Sequence, residues 1–128
     1  MPLMVRLLIN FLYKLILFPA LIYSFSKWVP QLISFPSLQP VILLSWLFIA
    51  IGLVADETIL PWLGNLPATS QGFLFMSAAI WASSFFYPGA YVAVSGALLL
   101  GLALGAAEYV MHGWILKQRA KEKHHRSR

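Results

Sequence analysis

Residues 90–116 read AYVAVSGALLLGLALGAAEYVMHGWIL. Apart from Ser95, Glu108 and His112 the run is apolar or small, and it lacks the period-two alternation of a half-buried strand. A bilayer core of about 30 Å is crossed by about 20 helical residues, so the run predicts one membrane-spanning helix. Ala97, Gly101 and Gly105 recur every fourth residue, and the last two form a GxxxG pair. At about 100° per residue, these three fall with Glu108 and His112 in an arc of about 80°. Small residues let a neighbouring helix approach closely, so this arc predicts a face turned towards protein. The acid and the imidazole go with it.

Working outward, further apolar blocks cover 3–25, 41–60 and 70–87. Together with 90–116 they predict an all-α, four-helix transmembrane bundle with short loops. The composition agrees: 60% of residues are hydrophobic and 10% charged, against about 25% charged in soluble domains. Open sheets leave unpaired edges that lipid cannot satisfy, so strands are a poor alternative for the spans. Block 3–25 is too long for a signal-peptide h-region and is expected to stay as an uncleaved span. Proline sets the breaks. Pro30, Pro36 and Pro40 separate the first two helices, with Trp28 and Phe35 suited to the interface. The segment from Pro61 to Pro67 is expected to be a loop that Thr69 or Ser70 closes as a helix cap. Tyr87-Pro88-Gly89 predicts a tight turn, and Pro19 a kink in the first helix.

The net charge of +5 is concentrated at one end, where Lys117, Arg119, Lys121, Lys123, Arg126 and Arg128 lie. Residues 117–128 are therefore expected to form a solvated, partly disordered tail on the cytoplasmic side, in contact with anionic lipid head groups. Beside a membrane helix this basic run does not predict nucleic-acid binding. An even number of spans puts both termini in the cytoplasm; Arg6 agrees, and Lys27 is a lone opposing charge. The absence of cysteine removes disulfides and thiolate chemistry.

Ionisable residues inside spans are costly and mark the candidate site. Measured from the cytoplasmic helix ends, Asp56, Glu57 and His112 lie roughly 6 to 8 Å deep, and Lys14 and Glu108 roughly 12 to 14 Å. Lys14, Asp56, Glu108 and His112 are expected to converge from three helices. Asn10 shares a face with Lys14, and Ser45 and Gly52 share one with Asp56, while Glu57 points about 100° away, towards the interface. Ser70, Ser77 and Ser84 suggest an interhelical hydrogen-bonding stripe. The polar layer has a structural reading, in which it holds the helices in register at about 0.6 kcal/mol per bond. It also has a functional one, an ion, proton or ligand relay. A weaker metal reading rests on Glu108 and His112 at i, i+4 with Asp56 or Glu57 opposite. There is no phosphate loop, nucleophile elbow or HExxH, so neither an enzyme nor a cofactor is expected.

Two segments resemble a known family. Residues 55–69, Ala-Asp-Glu-Thr-Ile-Leu-Pro-Trp-Leu-Gly-Asn-Leu-Pro-Ala-Thr, are similar to the Asp-x-x-Ile-Leu-Pro-x-x-Gly-Asn-x-x-Ala-Thr run of the YndM-like family. Residues 108–116 resemble its closing Glu-x-x-x-His segment. The chain departs at Trp62, where the family often has a basic residue, and at Ser70-Gln71-Gly72, where it tends to place an acid. The resemblance implies a small, uncharacterised four-helix protein of a bacterial cell membrane, and no mechanism. The expected role is structural, through association with other membrane proteins or with copies of itself. The alternative is proton- or cation-coupled transport using Asp56, Glu108 and His112, against which four spans without an inverted repeat weigh.

Overall fold

The computed structural model describes residues 2–126. In α1 (Leu3–Trp28) the buried residues are Arg6, Asn10, Lys14, Phe18 and Ile22, one in every four. That spacing keeps them on a single slowly drifting stripe, so one edge of α1 enters the bundle while the rest faces outward. The helix continues through Pro19.

The α2 helix (Gln39–Leu63) begins with Pro40 in its first turn, where a missing N–H costs no intrahelical bond. It ends at Gly64, with φ of 87°, whose N–H donates to the Leu60 carbonyl at 2.9 Å. The α3 helix (Asn65–Phe86) starts at the next residue. The loop expected from Pro61 to Pro67 is therefore a turn at one glycine. Pro61 lies inside the last turn of α2 at the loss of one N–H bond to the Glu57 carbonyl, whereas Pro67 fits the first turn of α3, whose N–H groups have no helical acceptor. A side chain at position 64 would be strained by the left-handed backbone. Thr69 and Ser70 consequently lie inside α3 rather than capping it.

Away from the chain termini, β1 (Ile33–Ser34) pairs antiparallel with β2 (Tyr91–Val92), Ile33 opposite Val92. The Ala93 N–H extends the pairing to the Leu32 carbonyl at 2.8 Å. Residues 91–93 are used in this ribbon and Ala90 in the turn before it, its N–H donating to the Tyr87 carbonyl, so α4 runs Val94–Arg126 instead of starting at 90. It also continues past the expected end at 116. Part of the predicted tail is helical because Arg119 and Glu122 are held by partners near the start of α1 and the end of α2. Arg128 and the side chain of Arg126 lie outside the described residues.

The small-residue face of α4 packs within the chain, against α3. A Cβ added at Gly101 would sit 2.0 Å from Ser77 Oγ, and one at Gly105 would sit 3.6 Å from Phe73 Cβ. Ala97 is buried beside them. The serine stripe of α3 does not bridge helices. Ser70 and Ser84 donate back to the Leu66 and Trp81 carbonyls of their own helix, as serine in a helix often does. Ser77 is buried, and its hydroxyl finds no partner among the described residues.

The apolar interior forms two clusters. Phe18, Ile22, Phe48, Ile80, Leu100 and Leu104 belong to the larger, and Leu60, Met111 and Ile115 form the smaller one near the termini. Much of the exterior is apolar too: Met4, Trp28, Trp62 and Phe86 are among its most exposed side chains. Three helices (Leu3–Trp28, Gln39–Leu63 and Val94–His124) are long and apolar enough to cross a membrane. The remaining helix, α3, is shorter and carries Asn65, Thr69, Ser70 and Gln71 in its first turns.

A buried, charge-balanced network as the candidate site

Between the two apolar clusters lie the charged residues. Lys14 of α1 places its ammonium 2.9 Å from Asp56 Oδ2 of α2 and donates to Glu108 Oε1 of α4. Asn10 Nδ2 donates to Asp56 Oδ2 at 2.9 Å. His112 Nε2 lies 2.9 Å from both Asp56 Oδ1 and Glu108 Oε2. All five side chains are buried, Lys14 and Asn10 completely. Each carboxylate oxygen of Asp56 and Glu108 is thus engaged by a donor.

The fourth helix joins through Thr69, whose Oγ1 lies 2.9 Å from His112 Nδ1. Asn65 orients this contact. Its Nδ2 donates to the Tyr109 carbonyl at 3.1 Å, which leaves its Oδ1 to accept the Thr69 hydroxyl at 3.0 Å. With that proton committed, Thr69 Oγ1 can only accept from Nδ1–H. Nε2 faces two carboxylates, so it too must donate. Both ring nitrogens carry protons, and two cations, Lys14 and His112, balance two anions, Asp56 and Glu108. The network has no net charge, which is how ionised groups are retained inside an apolar body.

Glu57 takes no part in this network. It joins a second cluster nearer the termini instead of pointing freely towards the interface. Arg6 grips it with two parallel bonds, from Nε (2.9 Å) and Nη2 (2.6 Å), and Arg6 Nη1 donates to Glu122 at 2.8 Å. Arg119 adds a 3.0 Å bond to Glu57. Bidentate guanidinium–carboxylate pairing fixes direction as well as distance. Arg119 is therefore drawn onto the bundle, whereas Lys117, Lys121 and Lys123 remain exposed.

The residues that the sequence does not assign to either polar cluster are Arg6, Tyr13, Asn65, Thr69 and Glu122. Arg6 looked like a flanking charge, yet it stands four residues before Asn10 and eight before Lys14, on their stripe. Tyr13 donates to the Ala107 carbonyl at 2.8 Å, stitching α1 to α4. Asn65 and Thr69 were concealed by the expectation of a loop there. They are four apart on α3, the spacing that stacks two side chains on one face.

Asp56, Glu108 and His112 bring candidate ligand atoms within 4.8 Å of one another. The donor set does not fit a divalent ion in its present state. Nε2 is a proton donor, and the Lys14 ammonium holds the carboxylates from the other side, so the two cations occupy the role of a metal. Chelation of the purified protein is expected to leave its thermal unfolding midpoint unchanged. A structural metal at a hundredfold excess over its Kd would contribute about 2.7 kcal/mol. A fall of several degrees on chelation would therefore reverse this conclusion.

A cavity of about 200 Å³ lies between α2 and α3 and reaches Asp56, Glu108 and His112 at its inner end. The two segments that carry the family resemblance meet at this point: Asp56, Asn65 and Thr69 come from one, Glu108 and His112 from the other. No curated protein and no solved structure matches the chain. Residues 3–128, nearly its full length, match the family described as proteins of unknown function (DUF2512), and the chain belongs to that family.

Proposed function

We propose that the protein is a multi-pass membrane protein with a non-enzymatic role, in which the buried ionic network locks four helices into one register. The observation that carries this reading is the closure of Lys14, Asp56, Glu108 and His112 into a neutral set, with Thr69 adding the remaining helix. A shifted register would leave at least one of these charges unpaired in an apolar body, at a cost of several kcal/mol. The braced bundle then acts by association with lipid and with other membrane proteins.

In this reading the end bearing Arg6, Lys117, Lys121 and Lys123 faces the cytoplasm, following the positive-inside rule. The exposed lysines of α4 meet anionic head groups. A reporter fused after Arg128 should be active only in the cytoplasm; activity on the opposite side inverts the assignment.

A second reading, proton- or cation-coupled transport, is favoured by one observation, the cavity that reaches the carboxylates. Glu108→Gln and Asp56→Asn separate the two. Bracing predicts a lower unfolding temperature in detergent for both variants, with no flux in liposomes for the parent protein. A cation or proton flux that both variants abolish while keeping the parent's stability would instead establish transport.

A further inference from the structure

The cavity between α2 and α3 has a lining of two opposite characters. Phe18, Phe48 and Phe75 line it as a continuous run of rings, with centroids 6.4 Å apart for Phe18–Phe48 and 6.0 Å for Phe48–Phe75, both edge-on. The polar part of its lining is Asp56, Glu108 and His112. Ile51 of α2 (44% exposed) and Phe75 (40%) and Gln71 of α3 line it and are themselves exposed, so the cavity is reached from outside between these two helices. One ring already serves a cation: the Lys14 ammonium is 5.4 Å from the Phe18 centroid.

This combination selects a charge type. An anion would meet two carboxylates. A neutral molecule would find the polar groups' hydrogen bonds already made. A cation can share the spare lone pairs of the carboxylates and rest against the faces of the rings. The volume is below the roughly 300 Å³ at which drug-sized pockets begin, so the body of the ligand must be small. Adding one positive charge to a neutral network requires that one leave it. Of the two resident cations, His112 lines the cavity and Lys14 does not.

We propose that this cavity binds a small lipophilic monocation, an ammonium head on an apolar body, admitted sideways between α2 and α3. The head lies against Asp56 and Glu108 and the body lies among the three phenyl rings. As it arrives, the Nδ1–H bond of His112 breaks and its proton passes to bulk solvent; the Thr69 hydroxyl turns to donate to Nδ1, Nε2–H stays on the carboxylates, and the site stays neutral. The groups facing His112 are Asp56 from α2, Glu108 from α4, the Thr69 hydroxyl from α3 and, across both carboxylates, Lys14 from α1. This goes beyond bracing and uses only the neutrality of the network.

Calorimetric titration of the detergent-solubilised full chain with benzyltrimethylammonium tests it, with neopentylbenzene as the uncharged compound of the same shape. Saturable one-to-one binding of the cation is expected, with the neutral compound at least about tenfold weaker. Repeating the titration in buffers of different ionisation enthalpy should show about one proton released per ligand. Affinity should then rise about tenfold per pH unit while His112 is protonated. Gly72→Leu fills the cavity from α3, where an added Cβ meets only Met76 Cε at 3.9 Å. It should keep the parent's unfolding temperature and lose at least about tenfold in affinity, as expected when an apolar pocket is filled. His112→Gln should bind with no proton release. Equal or non-saturable uptake of both compounds, unchanged binding in folded Gly72→Leu, or no binding to the folded parent overturns the proposal. Each of those results leaves the bracing role standing.

Discussion

Lys14→Met is expected to lower the stability of the solubilised protein by about 3–5 kcal/mol, the usual cost of removing one partner from a buried ionic set. Methionine replaces most of the aliphatic stem, so the loss is electrostatic: Asp56 and Glu108 would share His112 alone, and a net negative charge would remain inside the bundle. A second substitution checks the cause. Adding Glu108→Gln restores neutrality, with Asp56 and His112 as the surviving pair, and should recover most of the lost stability. The measurement is thermal unfolding followed by circular dichroism in a fixed detergent. If the double variant is no more stable than Lys14→Met, packing of the lysine stem rather than charge balance accounts for the loss.

Gly101→Ala is expected to cost about 1–3 kcal/mol, the range for forcing one methyl into a filled interior. The added Cβ would lie 2.0 Å from Ser77 Oγ and 3.2 Å from Ser77 Cβ, so either the serine rotates or α3 and α4 separate. Removing the hydroxyl should relieve most of this. Ser77→Ala alone should be neutral or mildly stabilising, because that hydroxyl is buried without a partner among the described residues. Combined with Gly101→Ala it should bring the unfolding temperature most of the way back to the parent's. A double variant as unstable as Gly101→Ala would mean that the helix backbones, not the serine, set the distance.

These two sites also show what the sequence makes legible. The 100° step along 90–116 groups Ala97, Gly101, Gly105, Glu108 and His112, and all five are buried. The same step separates Glu57 from Asp56, and the two do enter different clusters. What faces Glu57 was not legible, because Arg6 near the chain start reads equally well as a topological charge. The α2–α3 junction was obscured for a different reason. Two prolines bracketing a glycine look like a loop, and only the backbone shows Pro61 inside the last turn of α2 and Pro67 in the first turn of α3, where a missing N–H costs nothing. The extension of α4 past 116 depends on Arg119 and Glu122 finding partners more than 60 and 100 residues away. Local charge density cannot report pairings at that range. The β1–β2 ribbon is two residues on each side, too short for any periodicity.

The way the network divides along the chain bears on how such a protein can be made. Lys14 meets Asp56 across α1 and α2, and Glu108 meets His112 within α4 alone. Arg6 and Glu57 repeat the first arrangement closer to the termini. The first two helices, emerging together from a ribosome, already form a hairpin whose inner charges cancel. The last helix carries its own counter-charge, one turn away. In the proposed membrane role, biogenesis can therefore deliver two parts whose buried charges already cancel, and neither has to wait with an unaccompanied buried charge for the other.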